Sequence, residues 1–211
     1  MNWKRGWIGR TDRAYACPMN HRLPAPARAV AGPLDSDAEK LSDAAIRHRL
    51  STGKLVRLAR GAYVDPRIEW SPQRDLLAVA LASPGVIFSL FTALHLLGIA
   101  GPAPEIWVSI GHRDRPPSAA DVPIKVVHCL PTALVEGVQP KKVENLEVRL
   151  TTAARTVVDC FKARNKVGLD IAVHALHSVR RLGLASSDDI WLEAQRHKVC
   201  GEISPYMRLP G

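Results

Sequence analysis

No stretch of the chain approaches the roughly 18 consecutive apolar residues that a membrane-crossing helix needs. The amino terminus, MNWKRGWIGRTDR, has no apolar core of the secretory type, so a cytoplasmic protein with no membrane association is expected. The four cysteines, Cys17, Cys129, Cys160 and Cys200, fall in no CxxC or regular spacing, which argues against a disulfide framework or a zinc knuckle and suits a reducing compartment. No Glu-x-Lys or Asp-x-Lys occurs anywhere, and no Gly-Lys-Ser or Gly-Lys-Thr. The pattern of a restriction-type nuclease and that of a P-loop are therefore both absent.

What the chain has in excess is positive charge, +9 over 211 residues, which points to an anionic partner such as nucleic acid. The excess is uneven. Residues 1 to 65 carry 12 basic and 6 acidic side chains, residues 66 to 150 carry 8 of each, and residues 151 to 211 carry 9 and 6. The hydrophobic fraction of 46% is enough for a real core, so the charge belongs to a folded protein.

Residues 1 to 33 show neither helical nor strand periodicity and read as a poorly ordered basic arm. Regular structure becomes legible at Leu41-Ser42-Asp43-Ala44-Ala45-Ile46-Arg47-His48-Arg49-Leu50-Ser51-Thr52-Gly53. Ser42 has the character of an N-cap, Gly53 that of a C′ residue, and Leu41 with Ile46 the spacing of a hydrophobic staple. At 100° per residue Ile46 and Leu50 share one face, and Ala44, Arg47, His48 and Ser51 the other. Lys54 to Leu58 and Ala62 to Val64 then read as two short strands joined through Ala59-Arg60-Gly61. From Arg47 through Arg60 there are five basic residues, Arg47, Arg49, Lys54, Arg57 and Arg60, and no acidic one. A short helix with small and basic residues outward suits the major groove, and a basic hairpin beside it suits phosphate. Tyr63 and Val64 are expected to anchor that hairpin.

Farther along, Ser71-Pro72 reads as the opening of a helix running to Leu81, and Ser89 to Leu97 as a second one. Glu105 to Ile110, Ile124 to Leu130 and Leu146 to Leu150 are β-rich. Thr152 to Lys162, Leu169 to Arg181 and Ser186 to His197 have helical periodicity. The expected fold class is α+β, with a winged helix-turn-helix at residues 34 to 66 and a mixed α/β domain over 67 to 211. Arg155 and Asp159, spaced i,i+4, read either as a structural ion pair or as a partner-contact surface. His174 and His177 lack the further ligands of a zinc site, His95 reads as a hydrogen-bonded core histidine, and Asp35-Ser36-Asp37 reads as a cap. No metal, cofactor or catalytic constellation is expected.

Residues 41 to 63, with their Arg-Gly-x-Tyr ending at Arg60-Gly61-Ala62-Tyr63, resemble the winged helix of AbiEi-type antitoxins. Phe88-Ser89-Leu90-Phe91-Thr92-Ala93-Leu94-His95-Leu96-Leu97-Gly98 and Leu150-Thr151-Thr152-Ala153-Ala154-Arg155-Thr156-Val157-Val158-Asp159 resemble the same family, so the likeness spans roughly residues 41 to 181. The resemblance implies a non-enzymatic transcriptional regulator of a type IV toxin-antitoxin system. It would bind double-stranded DNA at its own operator and counteract a nucleotidyltransferase toxin through its carboxy-terminal domain. The implied DNA contacts are Ser42, Ala44, Arg47, His48, Arg49, Ser51, Lys54, Arg57 and Arg60. The family places two helices before this one, for which residues 27 to 34 and 35 to 40 are the available stretches. A nucleic-acid-acting enzyme and a protein-binding module are the rival classes.

Overall fold

A computed structural model describes residues 29–31, 42–59, 62–64, 73–119, 122–143 and 146–208. The expectations for the basic arm before residue 29, for Asp35-Ser36-Asp37, and for Leu41, Arg60, Gly61, Ser71 and Pro72 lie outside these residues.

The protein is α+β. Its first sheet has three strands, β1 (Ala29–Ala31), β2 (Val56–Ala59) and β3 (Ala62–Val64), in the order β1-β3-β2. Strands β2 and β3 pair antiparallel with a register shift between Arg57 and Ala59, while β1 runs parallel to β3. The expected arm thus ends earlier than residue 33, because Ala29–Ala31 is strand; three residues paired through their backbone leave no side-chain period to read. Before the hairpin comes helix α1 (Asp43–Ser51).

Helix α2 (Arg74–Ala82) follows, with Gln73 as its N-cap and no side-chain cap bond. It packs on β2 and β3 on one side and on the second sheet on the other. That sheet has five strands: β4 (Ile87–Phe88), β5 (Ile106–Gly111), β6 (Ile124–Cys129), β7 (Val138–Val143) and β8 (Leu146–Thr151), in the order β6-β5-β4-β8-β7. Pairs β5/β6 and β4/β8 are parallel; β4/β5 and β7/β8 are antiparallel. Strand β7 was not expected, since Val-Gln-Pro-Lys-Lys-Val carries a proline and two charges; it lies at an edge, where a missing N–H and the exposed Lys142 are tolerated, while Lys141 donates to the Leu96 carbonyl.

Helix α3 (Leu90–Leu96) leaves β4 abruptly, through Leu90 at φ +48, an unfavourable conformation for a branched residue. Three buried hydrogen bonds hold this corner: Ser89 N–H to the Trp107 carbonyl (3.1 Å), Trp107 N–H to Thr92 Oγ1 (2.8 Å) and Ser109 Oγ to Ser89 Oγ (2.8 Å). A 3-10 turn (Pro131–Leu134) connects β6 towards β7.

The chain ends in helices α4 (Ala153–Lys162), α5 (Arg164–Val167), α6 (Leu169–Arg181), α7 (Ser187–His197) and α8 (Cys200–Met207). Thr152 caps α4 by accepting from Arg155 N–H, and Ser186 with Asp189 forms a reciprocal capping box at α7. The two faces of the sheet bury different cores. Trp107 joins Leu90, Val157, Phe161, Leu176 and Ile190 from the helices, while Val108 and Ile110 join Leu76, Val79, Val148 and Leu150. Alternation along β5 sends successive side chains to opposite sides, and each large apolar side chain so buried stabilises the fold by about 1.5–3 kcal/mol.

Candidate nucleic-acid interface

Helix α1 is short and mostly exposed, and local bonds define both of its ends. The Ser42 side chain accepts from Ala45 N–H at 3.3 Å, with Asp43 in the first turn and His48 and Arg49 in the last, as the helix dipole favours. At the other end Gly53 adopts φ +68, so that its N–H reaches the Leu50 carbonyl (3.2 Å) while Lys54 N–H reaches Arg49 (2.8 Å). This is a Schellman closure, which a side chain at position 53 would strain. Thr52 Oγ1 also donates to the His48 carbonyl at 2.8 Å.

The closure reverses the chain and drives Leu55 inward to 4% exposure, directly before β2. Ile46, at 5%, is the buried residue of α1 itself. Ser42, Ala44, Arg47, His48, Ser51, Lys54 and Arg57 are exposed, and Arg49 is half-buried. Basic and small residues are thus exposed along α1 and into β2, together with Asp43 and Val56. Tyr63 is half-buried on β3, and the burial of Leu55 was not legible because an isolated leucine carries no periodicity.

The second polar constellation is interior. Arg155 is only 2% exposed; its Nε donates to both Asp159 oxygens (3.0 and 2.9 Å), and its Nη1 donates to the carbonyls of Glu136 (2.9 Å) and Ala133 (3.3 Å). Burial acts to lower the guanidinium pKa, but the Asp159 charge and hydrogen bond outweigh it and the pKa is raised. The i,i+4 ion pair is present, with Arg155 sealed from solvent and Asp159 partly exposed at 14%.

Glu193 on α7 completes this cluster, with Oε1 3.1 Å from Arg196 Nη1 and Oε2 3.5 Å from His197 Nε2. Its carboxyl is held below the ordinary value chiefly by the contact with His197, against burial, and further by the charges of His197, Arg196 and Arg155. Burial pushes the nearby Cys129 thiol up, and Cys160, fully buried, higher still. Neither is poised as a thiolate nucleophile.

His95 Nδ1 lies 3.3 Å from the Ala100 carbonyl, within hydrogen-bond reach. His174 is exposed with Nε2 3.5 Å from Ser178 Oγ, and His177 is half-buried. Among the described residues no three His, Cys, Asp or Glu side chains gather as a metal site, and no helix is long and apolar enough to cross a membrane. The chain matches no known protein family and no curated protein.

Proposed function

We propose that the protein is a DNA-binding transcriptional regulator of the AbiEi antitoxin type, in which α1 is the recognition helix and β2-β3 the wing of a winged helix-turn-helix. The observation that supports this most is the exposure of Ala44, Arg47, His48 and Ser51 on the helix and of Lys54 and Arg57 just beyond it in the chain. Small residues let a helix approach base edges, while arginine and histidine supply major-groove donors. The wing cations would meet phosphate, which positions the protein without reading sequence. Arg60, the remaining basic residue of the run, is proposed to act with Arg57.

The reading assigns no catalysis. The buried Arg155 guanidinium is engaged by Asp159 and by the carbonyls of Ala133 and Glu136, and burial disfavours the adjacent Cys129 thiol as a nucleophile. By the same resemblance, the domain from residue 67 onward counteracts a nucleotidyltransferase toxin in the cytoplasm.

The test is a duplex-binding titration across a salt series, using the DNA upstream of the protein's own reading frame and a scrambled duplex. The upstream duplex should bind more tightly, and log affinity should fall linearly with log salt. No salt-sensitive binding to either duplex would refute the DNA reading and favour a protein-binding module. Co-expression of a fragment from Pro66 onward with the toxin tests the second half: rescue of growth is expected from that fragment and not from residues 1 to 65.

A further inference from the structure

The two edges of the five-stranded sheet differ in kind. Edge strand β7 contains Pro140, which offers no N–H, and the exposed Lys142, the usual guards against pairing with another strand. Edge strand β6, Ile-Lys-Val-Val-His-Cys, has no proline, and its register with β5 is regular over all six residues. Its one ammonium, on Lys125, is met within the chain by Glu105 at 3.3 Å. Among the described residues no strand covers its outer side.

Which backbone groups face outward follows from one bond. Ile106 N–H donates to the Pro123 carbonyl at 2.9 Å, so Pro123 faces β5. Because these directions alternate along a strand, Lys125, Val127 and Cys129 also face β5, and Ile124, Val126 and His128 turn their N–H and C=O groups outward. All three outward residues have both a donor and an acceptor.

We propose that β6 pairs antiparallel with β6 of a second copy of this chain about a two-fold axis at Val126, joining two five-stranded sheets edge to edge. In that register Val126 faces the second copy's Val126, and Ile124 faces the second copy's His128, each pair exchanging two N–H···O bonds. Lys125 falls opposite Val127, so no like charges meet. Leu130 continues β6 in extended conformation (φ −69°, ψ 152°) and is 56% exposed in the single chain; the same axis sets it opposite the second copy's Val122. An exposed leucine and an unguarded edge thus gain partners together from one symmetry operation, as an isologous interface requires. The proposal stands independently of the DNA reading.

The full chain should sediment at micromolar concentrations with about twice its 23.1 kDa mass. Hydrogen exchange at the amides of Ile124, Val126 and His128 should slow as concentration rises, while that of β7 amides should not. Val126→Lys sets two ammonium groups face to face on the axis and should weaken association roughly tenfold. Val126→Glu should do the same, and an equimolar mixture of the two variants should associate again. A monomer at every concentration overturns the proposal, leaving the edge bare or open to a strand of another protein. So does a dimer whose β6 amides stay unprotected, or one that both variants form as readily as the parent.

Discussion

Gly137 lies so close against Arg155 that a Cβ built on it would stand 3.0 Å from Arg155 Cβ and 3.0 Å from Glu193 Oε1. Its φ of +63 is also one that side chains seldom adopt, and its carbonyl accepts from Thr152 N–H at 2.9 Å, just before α4. Gly137→Ala should therefore combine backbone strain with crowding and destabilise the protein by about 1–3 kcal/mol, measured by denaturant or thermal unfolding. An unchanged midpoint would mean that the turn before β7 shifts freely, and that Arg155 is not clamped there.

The Arg155–Asp159 pair should be costly to break from one side only. Asp159→Ala leaves a buried guanidinium, and Arg155→Ala frees the carboxylate together with the Ala133 and Glu136 carbonyls; either should destabilise by about 3–5 kcal/mol. Paired replacement by apolar residues of similar volume should recover much of the loss. A double-mutant cycle showing no coupling would remove the pair from the account of the fold.

Acid sensitivity should trace in part to Glu193. Its carboxyl is held below the ordinary 4.5, so its contribution to stability is complete above that value and is lost as pH falls through the lower, folded-state value. Glu193→Gln should weaken the protein near neutral pH by about 1–3 kcal/mol, and the difference from the parent should shrink below pH 4.5. A difference that stayed constant down to acid unfolding would contradict the assignment.

Helix and wing should fail differently on DNA. Arg57→Ala and Arg60→Ala should weaken operator and scrambled duplex alike, each reducing the slope of log affinity against log salt by about 0.9. Arg47→Ala should cost about 1–3 kcal/mol on the operator and relax base preference at one position, with a smaller loss on the scrambled duplex. Three variants that bind both duplexes like the parent would rule out residues 42–64 as the reading element.

The parts of the fold that could be read from the sequence are those where local chemistry and periodicity agree. Helices α4, α6 and α7 were legible from long amphipathic patterns, and α7 also from its Ser186 cap, whereas the short α5 and the proline-containing α8 were not. Helix α1 was legible because Ser42 and Gly53 mark its two ends. The end of α7 was harder, since the left-handed position falls on Lys198 at φ +56 instead of on a glycine. Strands β1, β4 and β7 were missed: two are too short to show alternation, and the third has the composition of a loop. The exposed basic residues of the candidate interface were legible from charge and spacing. The burial of Arg155 was not, because an i,i+4 pair has the same spacing whether it faces solvent or the core.

Strand β4 is two residues long, yet Ile87 and Phe88 pair with β5 on one side and with β8 on the other. Without it the sheet would fall into two ribbons, β5 with β6 and β7 with β8, and a two-stranded ribbon is at best marginal on its own. Ile87 and Phe88 have no solvent exposure, and they meet Arg149 and Leu150 across more than sixty residues of chain. That closure is slow in entropic terms, so the ribbons gain their permanence late and together. Ile87 and Phe88 are the keystone of the sheet, and their amides should exchange with solvent only when the whole domain opens.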